Sequence, residues 1–184
     1  MKKKDFEAFL SGTDEKNNQD ISERIKKEVS EYRYYVLKLY DQIEEWLGEY
    51  NKWISINRIP CKVREELTGE YDLQELIINL NNIQLKLKPI GTYVIGAKGR
   101  VDFIGPRSTV IIGLCDKKVE NASQLIQTFN SEEEKQLYDK KRKEELEKNP
   151  TEWEWKIITE PPKVLFITLT EDVFTDYFKK VMNG

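Results

Sequence analysis

The sequence predicts an α+β protein, with an antiparallel sheet of about five strands and a long N-terminal helix and a C-terminal helix packed on it. Three observations carry this expectation. Apolar residues recur in steps of three and four from Ile21 to Tyr50. Short apolar runs between Ile83 and Lys118 are punctuated by Gly91, Gly96, Gly99, Gly105 and Gly113. An alternating run near Trp153 is followed by a closing amphipathic stretch.

The first element follows from Asp20 and Glu23, a capping pair, and from the stripe Ile21, Ile25, Val29, Tyr32, Val36, Leu39, Ile43, Trp46, Leu47 and Tyr50. A helix over Ile21 to Asn51 spans about 46 Å and offers part of its length to a second subunit. Residues 1–20 are polar and read as a flexible arm before a single domain at 21–184. Trp53 to Ile59 reads as a short strand ended by Pro60, and Val63 to Thr68 as a brief helix. Asp72 to Leu80 carries helical spacing at Leu73, Leu76, Ile77 and Leu80, closed by Asn81 and Asn82.

Ile83, Leu85 and Leu87 alternate with Gln84, Lys86 and Lys88, as in a half-buried strand. Thr92 to Ile95, Arg100 to Ile104 and Ser108 to Cys115 follow so closely that only an antiparallel meander fits. A charged helical excursion is expected over 121–149, broken near Asn130 and Ser131, with Ser131 and Glu134 as a capping box. Glu152 to Ile158 and Lys163 to Leu169 read as strands around Pro161 and Pro162. Thr170 opens a last helix with the stripe Val173, Phe174, Tyr177, Phe178, Val181 and Met182.

Composition bounds the chemistry. The 184 residues contain no histidine, which removes histidine general bases and histidine-containing metal sites. The two cysteines, Cys61 and Cys115, have no metal-ligand spacing and read as reduced, buried side chains. The opening residues lack the apolar core of a signal peptide, and no run approaches about 18 apolar residues. A cytoplasmic protein that needs no membrane and no cofactor is expected. The glycine-rich stretch lacks both the P-loop ending and the dinucleotide-binding spacing.

Two constellations remain. Ile83 to Lys118 carries a charge of +5 in a chain of net charge −3, from which Lys86, Lys88, Lys98, Arg100 and Arg107 are expected to contact an anionic partner. That partner is a protein or, with Tyr93 and Phe103 nearby, a nucleic acid. Ile43, Trp46, Tyr50, Trp153 and Trp155 are the candidate protein-interface or self-association residues. The second constellation is Asp102 with Glu154 and Lys156, which resembles the D…ExK core of restriction-type nucleases. That resemblance implies Asp102 and Glu154 as metal ligands and Lys156 as the group positioning the nucleophile. Taken together, the sequence predicts a non-enzymatic interaction or assembly module, homo-oligomeric or bound to another protein, with the metal-dependent nuclease as the alternative.

Overall fold

The computed structural model describes residues 3–92 and 96–183, with side chains of the first helix described from Asp20. The arm expected over residues 1–20 lies, Asp20 and the helical backbone apart, outside that description, as do residues 93–95 of the strand expected at Thr92 to Ile95. Helix α1 (Lys3–Leu47) is followed by a 3-10 turn at Gly48–Tyr50. Seven strands then run in sequence order: β1 (Ile54–Glu65), β2 (Gly69–Leu80), β3 (Ile83–Gly91), β4 (Arg100–Ile104), β5 (Thr109–Asp116), β6 (Trp153–Ile158) and β7 (Phe166–Thr168). Every neighbouring pair is antiparallel. Helix α2 (Glu132–Lys148) lies in the β5–β6 connection, and α3 (Glu171–Asn183) closes the chain. The α+β architecture, the antiparallel meander and the two packing helices are as expected; the sheet has seven strands rather than five.

The first hairpin departs most from expectation: β1 runs on through the brief helix expected from Val63, and β2 replaces an expected helix. Val63 lies in β1 and the expected helix over Asp72 to Leu80 lies in β2, whose Leu76, Ile77 and Ile78 are all buried. Three consecutive buried residues need apolar surroundings on opposite sides of the backbone, which a strand inside a sheet provides. Pairing of Leu76 with Leu87 and Ile78 with Leu85 fixes the register. Pro60 does not end β1, because β1 is an edge strand and tolerates a missing donor. Asn81, at φ +54°, forms the tight β2–β3 turn with Asn82 rather than a helix end.

One face of the sheet carries the main core. Tyr32, Val36, Leu39, Tyr40 and Ile43 of α1 pack over Leu85, Leu87, Val101, Ile112, Leu114 and Ile157. Phe174 of α3 stacks on Phe103 with ring centroids 5.3 Å apart. Hydrogen bonds between α1 and the sheet set the helix position. The Trp155 indole donates to Tyr35 O at 3.2 Å, and the Tyr40 hydroxyl reaches Gln74 O and Leu87 O at 3.0 and 3.1 Å. Gly105 lets the backbone of α3 approach, since a Cβ there would collide with Val181 O. Among the described residues no helix is long and apolar enough to cross a membrane.

Candidate functional site

The expected anionic-partner residues do not form one patch. Lys86, Lys88 and Arg100 share the sheet face opposite α1, where alternation along β3 and β4 puts them. Lys86 pairs with Glu75 at 3.1 Å, and Arg100 clasps Asp102 through two contacts of 2.6 and 3.0 Å. Lys98 precedes β4, pairs with Glu31 of α1 and lies 5.1 Å over the Trp153 ring. Arg107 sits in the turn at the far end of β4, its backbone N donating to Val181 O at 3.2 Å. Only Lys88 and Arg107 of the five have no carboxylate partner among the described residues.

Asp102, Glu154 and Lys156 share a sheet face and do not converge. Asp102 is in register with Ile111, and Ile111 with Ile158, four residues along β6 from Glu154. Two strand spacings across and four residues along separate the two carboxylate positions by roughly 16 Å. Lys156 is 1% exposed and its ammonium is occupied. It donates to Lys117 O at 2.9 Å and Val119 O at 2.7 Å and contacts Glu154 Oε1 at 3.2 Å. Among the described residues no three His, Cys, Asp or Glu side chains are grouped to hold a metal ion. Cys61 and Cys115 are both free thiols; burial pushes Cys115 up to about 12.

The candidate interface residues separate in the same way. Ile43 is fully buried and Trp155 nearly so. Trp46 is half-buried with its ring 5.7 Å from Phe174. Tyr50 remains 45% exposed beside Trp53, which is 62% exposed. Trp153 is half-buried and lines a cleft.

That cleft has a volume of about 1280 Å³. One wall is the α1 face Arg24, Lys27, Glu28 and Glu31, spaced as successive turns of one side. The other is the α2 face Tyr138, Lys141, Arg142, Glu145 and Leu146. Ala97, Val119, Leu125 and Trp153 floor it. The floor is pinned by backbone pairing: Lys98 N donates to Leu114 O at 2.7 Å, Lys117 N to Glu152 O at 2.9 Å, and Phe166 N to Glu120 O at 2.9 Å. The Lys156 ammonium holds the turn carrying Lys118 and Val119 from beneath. Helix α2 begins where expected: Ser131 Oγ accepts from Glu134 N at 3.2 Å, and Glu134 Oε2 accepts from Asn130 N at 2.9 Å.

The cleft charges divide unequally. Arg24 lies 3.7 Å from Glu28, Lys98 takes Glu31, and Asp116 accepts from the Lys118 backbone N at 2.9 Å. Lys27, Lys141 and Arg142 have no carboxylate partner among the described residues, and Lys118 has only a through-space attraction to Glu152. The sequence signal for the α2 contribution was its spacing, since Tyr138, Lys141, Arg142, Glu145 and Leu146 share one side of a helix. Comparison of the chain with family models, with curated proteins and with solved structures finds no match.

Proposed function

We propose that the chain is a non-catalytic, cytoplasmic protein-interaction module that seats a segment of a partner between α1 and α2. The observation that supports this most is α2 itself: seventeen residues, none buried, with one side lining an open cleft. Leu137 and Leu146 are 54% and 43% exposed on this helix. A helix usually gains its stability by burying a face against its own domain, and α2 keeps that face for another molecule. The residual positive charge of the cleft gives orientation and association rate to an acidic partner of a chain whose net charge is −3.

The test is affinity isolation of the tagged full chain from its native cells, with and without nuclease, beside the variant Lys141→Glu/Arg142→Glu. A protein partner retained after nuclease and lost in the variant is expected. Capture that the variant leaves unchanged, or that nuclease abolishes, refutes the module.

A further inference from the structure

We infer that the segment seated in the cleft is an acidic amphipathic helix of a partner protein, a conclusion that rests on the interaction reading above. The shape is that of a trough between two helices. About three turns of a helix about 10 Å across have a volume of the same order as the cleft. The apolar floor, Val119, Leu125 and Trp153, suits the apolar stripe of such a helix laid into a groove.

Charge decides the other face. Lys27 on one wall and Lys141 and Arg142 on the other are cations without carboxylate partners among the described residues, and Lys118 at the floor's margin makes no ion-pair contact there. They complement carboxylates along both flanks of an inserted helix. Glu28 and Glu31 already face cations of this chain, so they do not oppose such a ligand in full. A nucleic-acid strand fits less well. A phosphate backbone carries a charge at every nucleotide and would meet Glu28, Glu31, Asp116 and Glu145 as well as the cations, whereas a helix can turn uncharged residues toward them.

The full chain is titrated against a fluorescein-labelled acidic helical peptide of about 14 residues, with leucines at helical spacing and glutamates on both flanks. The controls are the same peptide with lysine for glutamate and an oligothymidylate of similar length. Saturable micromolar binding of the acidic peptide is expected. It should weaken at least ten-fold in Lys141→Glu/Arg142→Glu and also as salt rises. Those two side chains are exposed and unpaired, so circular dichroism of the variant should match the wild type. Tighter binding of the oligonucleotide, lost in the same variant, overturns the helix and leaves the cleft as a binding site. A micromolar dimer dissociated by the variant assigns the cleft to a second copy and likewise overturns it. Binding unaffected by the variant, or binding of no probe, overturns the inference. The interaction reading falls with it only if affinity isolation also finds no variant-dependent partner.

Discussion

Replacing Lys156 by methionine keeps most of the side chain's volume and removes its ammonium. In the wild type that group ties the turn after β5 to the sheet, through Lys117 O at 2.9 Å and Val119 O at 2.7 Å, with Glu154 at 3.2 Å. Hydrogen bonds from a charged donor contribute about 1.5–3 kcal/mol each, so the two carbonyl contacts set a gross loss of about 3–6 kcal/mol. Glu154 adds little, because it retains partial exposure and a 2.9 Å hydrogen bond from Thr168 Oγ1. Relief of the lysine's desolvation and burial of the thioether offset about 1–3 kcal/mol. Mid-range values of both leave a net loss of about 2–3 kcal/mol, or roughly 4–12 °C in Tm for a chain of this size. Urea denaturation measures the loss, and amide exchange at Val119, whose N donates to Asp116 O at 3.1 Å, reports the loosened turn. Asp102→Asn is the comparison, because its Arg100 partner keeps access to water and the change should cost less than about 1 kcal/mol. A Lys156→Met variant within about 0.5 kcal/mol of wild type would refute the tether.

Two further outcomes probe the core. Phe174→Ala should destabilise by about 3–5 kcal/mol in urea denaturation, since Phe174 is 1% exposed and packs against Phe103, Trp46 and Phe178; a loss under about 1 kcal/mol contradicts the α3 packing. Alkaline pH should destabilise progressively. Desolvation raises Cys115 from its ordinary 9.0 to about 12 and also raises Tyr32, Tyr40 and Tyr71 from 10.0. The folded chain holds these protons more tightly than the unfolded one, so their contribution is complete below about pH 9 and is lost as pH rises toward 12. The urea midpoint should fall from about pH 9 upward, and a midpoint unchanged to about pH 11 would contradict this. Native thiol labelling at pH 8 should modify Cys61 well before Cys115.

The legible part of the fold is the part whose pattern has one physical explanation. The α1 stripe from Tyr32 to Leu47, the alternation of β3 and the stripe of α3 each present one apolar side to one core, and each period could be read directly. The stretch Asp72 to Leu80 failed because Leu73, Leu76, Ile77 and Leu80 satisfy helical spacing. What makes it a strand is the pairing of Leu76 with Leu87 and of Leu76 with Arg58, which no local window contains. Charge was legible in sum and illegible in detail. The Arg100–Asp102 pair was accessible, since residues two apart in a strand share a face. The loss of Lys98 to Glu31 was not, because the partner is 67 residues away on another element. Lys156 looked like a reactive lysine because Glu154 and Lys156 have the ExK spacing, and only the returning turn at Lys117 and Val119 shows that the face is covered there.

A cleft wall made from a helix without buried residues raises the question of what keeps it helical. Local terms supply much of the answer. Ser131 caps the first turn and Glu134 reaches back to Asn130. Glu132, Glu133 and Glu134 sit at the positive end of the helix and Lys148 at the negative end. Lys135 lies 3.7 Å from Glu132 on the same side. These contributions are each below about 1 kcal/mol, yet they act without any demand on the side that lines the cleft. A partner helix would then meet a surface already ordered by its own sequence, and its binding energy would go into contact rather than into folding α2. The rigid floor extends the same logic. Lys156 fixes the turn bearing Lys118 and Val119, so the cations of floor and wall are held by elements that need no ligand to place them.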